Sequence, residues 1–332
     1  MKHWLALSDR ELMTVRLKDL ELDVEGELLL ECLAVVRGEL GARGFGFEPH
    51  VWLSDEWFCP DGVPGFAIPF YLAHERLQAL ERTQMEEVEG GTRRRCLRLV
   101  RHETGHAIDN AYRLRGRQRR VELFGSSEIE YPDSYAPHPY SRKFVRYLEL
   151  GYAQCHPDDD FAETFAVWLD PASRWRERYA RWPALAKLVY MDELMAEQVK
   201  TRPRVANRRE ADALSTLSVT LGEHYRERRK NHKVNFARRY DRDLRRVFGT
   251  RGKALGAAFL RRHRASLLSE VAQRTGTRRY MVDRVLADWI ARARALGLRL
   301  CQSEKRTRAE VVTLLRVHVA RYMRQEHYRI PV

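Results

Sequence analysis

The sequence predicts an α+β, mainly helical architecture, with a small sheet in the first part and a basic all-α C-terminal part. Three observations support this. Helical periodicity dominates most segments, extended runs are few and short, and the charge balance reverses near residue 200. Residues 201–332 hold 33 Lys and Arg against 12 Asp and Glu, whereas the first 200 hold 27 against 34. With 332 residues and 44% apolar content, the chain is long enough for two cores. The expected organisation is therefore a mildly acidic domain over 1–200 and a basic helical domain over 201–332.

The elements follow in order. Glu27 to about Ala42 alternates apolar and charged residues at helical spacing and ends at Gly41, Gly44 and Gly46. Short extended runs follow around 47–54 and 65–72, where Pro64 and Pro69 restrict the second to a sheet edge. Such an edge would suit pairing with an extended peptide, or its prolines would simply protect it from aggregation. A helix over 74–89 leads through Gly90-Gly91 to a helix over 93–113, and a later one begins near His156. Residues 172–199 are helical, with Trp175, Trp182, Leu185, Leu188 and Met191 suited to a core. Thr201-Arg202-Pro203-Arg204 breaks the pattern, and 208–249, 255–275, 278–297 and 307–325 read as amphipathic helices.

The helix over 93–113 carries His102-Glu103-Thr104-Gly105-His106. Residues i and i+4 share a helix face, so two imidazoles can reach one Zn²⁺ while Glu103, on the adjoining edge, can reach a water as general base. Gly105 costs roughly 1 kcal/mol of helix propensity, which makes sense if something approaches the backbone closely there. Asp109, one turn beyond His106, is placed to accept its second N–H or to serve as an ordinary surface acid.

A complete site needs a third ligand. Residues 156–169, HPDDDFAETFAVWL, open with a proline and three acids that favour a helix N-terminus and continue as an apolar run. Glu163 stands stranded among Phe161, Ala162, Phe165 and Ala166, and a buried carboxylate needs a cation; zinc is the preferred one and an arginine the alternative. Asp160 is read as supporting residue or helix cap, and Asp158 and Asp159 as dipole-complementing surface acids.

The segments RHETGHAID at 101–109 and YAQCHPDDDFAETFAVWL at 152–169 closely resemble the zinc-binding metallopeptidase family of bacteria, whose pattern is RHExGHAID followed by YAQxHPxEDFAExFAVWL. Residues 49–74 and 131–144 look familial too. The resemblance, which covers 1 to about 195, implies a zincin-like domain of gluzincin type that binds one zinc through His102, His106 and Glu163, with Glu103 as base. The ligand helix is also similar to the FAEAF-like helix of lethal-factor-type peptidases. There a tyrosine one or two turns before the ligand glutamate stabilises the oxyanion, which here points to Tyr152 or His156, with Tyr135 and Tyr140 in reserve. Many family members begin with a cysteine-rich zinc ribbon, but this chain has no CxxC, so a second structural metal is not expected.

The expected function is hydrolysis of a peptide or related amide, with a peptide or protein substrate that could be acidic. Five cysteines without disulfide-framework spacing, a first apolar stretch too short for a signal peptide, and the lack of any run near 18 apolar residues point to a cytoplasmic protein with no membrane association. The competing reading is a nucleic-acid-associated regulator with a structural or vestigial HExxH site. Ala272, Gly276 and Val282 fall at helix-turn-helix spacings, followed by Arg278 and Arg279. Packing of the basic helices against the acidic half is preferred over nucleic-acid binding.

Overall fold

A computed structural model describes residues 2–85, 88–132, 134–135, 137–138, 141–231, 240–252, 254–277, 279–324 and 330–331. The chain forms two compact units, Met1–Arg229 with Pro331–Val332, and Lys230–Ile330. The architecture is mainly helical with a small parallel sheet, as expected.

The first unit opens with α1 (Asp9–Leu12), where Ser8 and Glu11 form a capping box, and α2 (Glu27–Ala42). Strands β1 (His50–Ser54) and β2 (Gly65–Pro69) pair in parallel, with Trp52 opposite Ala67. Gly65 is required there, because a Cβ would lie 2.2 Å from the His50 carbonyl oxygen. The expected free edge at 65–72 is not available to a peptide. All five β2 residues are buried, and Ala67 N–H already donates to Phe58 O at 2.8 Å.

Helices α3 (Glu75–Met85), α4 (Arg93–Tyr112), α5 (Gln118–Phe124), α6 (Pro157–Leu169), α7 (Trp175–Arg178), α8 (Leu185–Gln198) and α9 (Leu221–Asn231) complete this unit. The centre is α4, packed between α2, β2 and α6, so almost every side chain from Cys96 to Tyr112 is buried. An all-round buried helix is usually apolar. This one carries Arg101, His102, Glu103, His106, Asp109 and Asn110 inside, and such groups need partners or a cation.

The helix predicted over 208–249 forms only in part. Residues 208–220 contain one 3-10 turn, Leu214–Thr216, and otherwise run over the first unit: Trp52 Nε1 donates to Ala211 O (2.9 Å), and Leu17 N to Val219 O (2.9 Å). Those bonds take backbone groups that a helix would use internally. Residues 232–239 lie outside the described set.

The second unit contains α10 (Asp241–Val247), α11 (Gly256–Arg262), α12 (Arg264–Thr275), α13 (Arg279–Ala295) and α14 (Glu304–Arg324). Its own core includes Phe248, Leu260, Val271, Leu286, Trp289 and Leu315. The predicted helix 255–275 is broken at His263, whose φ of −91° and ψ of 5° leave the α region. No helix of the described residues is long and apolar enough to cross a membrane.

Candidate metal centre

Close contact between α4 and α6 builds the site. A Cβ on Gly105 would sit 2.9 Å from the Cα of Ala162, so the glycine lets the two backbones approach. Thr92 caps α4, its hydroxyl accepting from Arg95 N. For α6, Pro157 occupies the first turn and His156 is the N-cap, its Nδ1 accepting from Asp158 N at 3.2 Å.

Successive residues of a helix point about 100° apart, and the three acids opening α6 accordingly go to three places. Asp158 Oδ1 accepts from Arg120, which also binds Asp109 Oδ2, both at 2.7 Å, with Arg115 Nε 3.4 Å from the other Asp158 oxygen. Asp160 pairs with Lys187. Asp159 faces α4. The expectation that Asp158 and Asp159 are surface acids is therefore corrected: each is only 2% exposed.

Three atoms converge. His102 Nε2 and His106 Nε2 are 3.1 Å apart, and Asp159 Oδ1 lies 3.3 Å from His106 Nε2 and 3.6 Å from His102 Nε2. Zinc bonds of about 2.0–2.2 Å in tetrahedral geometry give ligand-to-ligand edges of about 3.4 Å. The triangle thus has the size of one tetrahedral face, with a fourth corner left over. Among the described residues Asp159 Oδ2 has no hydrogen-bond partner, and this is the one cluster of side chains spaced to hold a metal. The donor set suits zinc.

Glu163, expected as third ligand, stands elsewhere. Its Oε1 is 3.2 Å from His102 Nδ1, and its Oε2 accepts from Leu148 N at 2.8 Å. It grips the far side of the imidazole, where it would accept from Nδ1–H and leave Nε2 to a metal in the triangle. Asp109, expected behind His106, is held by Arg120 instead.

The electrostatics favour a cation here. Burial opposes a charged His102, yet Asp159 and Glu163 outweigh it and raise the pKa to about 10. Burial likewise works against ionised Asp159, but its bonds to both histidines win and hold it below the ordinary carboxylate range. Glu103 is 6% exposed, and burial raises its carboxyl against the opposing pull of His102 and His106. A carboxylate raised toward neutrality suits proton transfer.

Tyr152 packs edge-on against His102 with centroids 5.5 Å apart. Burial and the nearby Asp159, Cys155 and Glu103 keep its phenol protonated. His156 is differently employed: besides capping α6 it bonds Ile129 O through Nε2 at 2.9 Å, and Tyr131 stacks on it at 3.8 Å. Tyr135 packs edge-on against Tyr152, with centroids 6.2 Å apart, and Tyr140 lies outside the described residues. Sequence reasoning passed over Asp159 and Tyr131. The familial pattern, with a glutamate where Asp159 stands, was the available signal for the first.

No curated protein and no solved structure matches the chain. Residues 71–202, which contain both α4 and α6, match the model of the family described as putative zinc-binding metallo-peptidase.

Proposed function

We propose that the protein is a zinc-dependent hydrolase of peptide or related amide bonds, with one zinc held by His102, His106 and Asp159. The observation that carries this reading is the triangle of two imidazole nitrogens and one carboxylate oxygen with edges of 3.1, 3.3 and 3.6 Å. Structural zinc sites close all four positions with protein donors, whereas three ligands leave room for water and substrate. Because the third donor is aspartate, the glutamate that defines a gluzincin is replaced here, and Glu163 becomes a positioning residue.

Bound zinc would supply Lewis acidity, activating water near neutral pH and polarising the scissile carbonyl. Glu103 takes the proton from the attacking water and passes it to the leaving amine, which its burial-raised pKa favours. The Tyr152 hydroxyl donates to the oxyanion as the carbonyl becomes tetrahedral. Glu163 keeps His102 in the tautomer that presents Nε2. The substrate is a peptide or protein chain. Five free cysteines suit a reducing, cytoplasmic setting.

Metal analysis of the purified full chain tests the ligand set. Asp159→Ala should emerge without zinc, Glu163→Gln should retain it, and Glu103→Gln should retain it while losing hydrolysis of a peptide library. Zinc retained by Asp159→Ala but lost from Glu163→Gln would overturn the assignment.

A further inference from the structure

The unit Lys230–Ile330 carries 26 Lys and Arg against 8 Asp and Glu. Its described acids are largely committed: Asp241 to Arg292, Asp283 to Arg264, Glu304 to Arg262, and Glu270 to Arg274 and Arg308. Arg242, Arg245, Arg246, Arg261, Arg279 and Arg294 are exposed, and no described acid of this unit pairs with them. The first three fall at i, i+3 and i+4 on one face of α10.

The backbone adds a second observation. Helix α12 ends at Thr275, Gly276 turns the chain in the left-handed region at φ 65°, and α13 starts at Arg279. Both α11 and α12 pack on α13, which buries Val282, Val285, Leu286 and Trp289. This is the connectivity of a helix-turn-helix, with its glycine in the turn. Arg278 lies outside the described residues.

The solvent stripe of α13 gives the third. It runs Arg279, Asp283, Ala287, Ala291, Arg294, and Asp283 is neutralised by the two 2.7 Å bonds from Arg264. Small side chains between flanking arginines let a helix sit deep in a groove whose rims are anionic, and alanine can contact a thymine methyl there.

We propose that this unit binds duplex DNA, with α13 in the major groove, Arg279 at its N-terminal end facing base edges, and Arg242, Arg245, Arg246 and Arg261 on phosphates. An acidic protein would satisfy the charge but has no need of the short glycine turn that sets α13 after α12. The proposal is independent of the zinc chemistry.

Fluorescence anisotropy of the full chain with a labelled mixed-sequence duplex tests it. With about four phosphates neutralised, affinity should fall on the order of 100-fold between about 50 and about 200 mM salt. Arg279→Glu with Arg294→Glu should weaken binding at least about tenfold. Joint replacement of Arg242, Arg245 and Arg246 by Glu should weaken binding and flatten the salt slope by about 3. Ala287→Trp, which adds bulk without charge, should weaken binding too, and Glu103→Gln should leave it unchanged. Unaltered affinity in Ala287→Trp or in the Arg279 variant would overturn the proposal, as would equal affinity for single-stranded RNA or polyglutamate.

Discussion

Asp159 and Glu163, one turn apart on α6, hold His102 from opposite sides: Asp159 Oδ1 is 3.6 Å from Nε2 and Glu163 Oε1 is 3.2 Å from Nδ1. One carboxylate sits where a metal would be shared, and the other lies where it would favour the Nδ1–H tautomer. Removing the second group should therefore weaken zinc without abolishing it. Glu163→Ala is expected to cost about 10–100-fold in affinity, read by competition with a chelator. A larger loss than in Asp159→Ala would reverse the two roles.

Gly105→Ala gains about 1 kcal/mol of helix propensity, but its methyl would meet the Ala162 backbone at 2.9 Å. Backbone has no rotamer by which to yield, so α4 and α6 must separate. Overpacking of this kind costs about 1–3 kcal/mol. The variant should be less stable in urea unfolding and bind zinc more weakly; a more stable variant would contradict the close approach.

Tyr152 and His156 should respond differently to substitution. Tyr152→Phe removes the hydroxyl of the ring packed on His102 and should lower kcat about 100- to 1,000-fold with zinc content and KM unchanged. His156→Ala removes the α6 cap and should cost about 1 kcal/mol of stability, leaving kcat of the folded enzyme near that of the parent. Steady-state kinetics beside denaturant titration would show whether the effects divide in this way.

His224 makes stability depend on pH away from the metal centre. Burial and the Arg228 charge push its pKa down to about 4, Phe70 packs edge-on at 5.5 Å, and Asp55 is 4.0 Å from Nδ1. Unfolded histidine titrates near about 6.5. Between those values the unfolded chain binds the proton and the folded one does not, so stability falls as pH drops through that window. By about pH 5 the loss relative to about pH 8 should reach about 2 kcal/mol, and His224→Phe should flatten it in urea titrations at those two pH values. A parallel fall in the variant would assign the pH dependence to other groups.

Local signals carried much of the fold and the site. Helical periodicity located α2, α13 and α14, while the HExxH spacing placed His102 and His106 on one face of α4. Residues 208–220 were misread because charged, mixed sequence has no local signature of hydrogen bonds to Leu17, Lys18 and Trp52 far earlier in the chain. Asp158 was misread for a similar reason: Arg120, which buries it, lies 38 residues away.

What the sequence determined by itself is the chemistry available: two histidines and a glutamate on one helix, and a second helix rich in carboxylates. Which carboxylate meets the histidines could not be read there. Asp159 and Glu163 are four apart and share a helix face, so periodicity treats them alike. The crossing of α4 and α6 at Gly105 decided it, setting Asp159 opposite both Nε2 atoms and Glu163 behind the ring. Only packing fixes the distance and rotation between two helices, and a metal site depends on both.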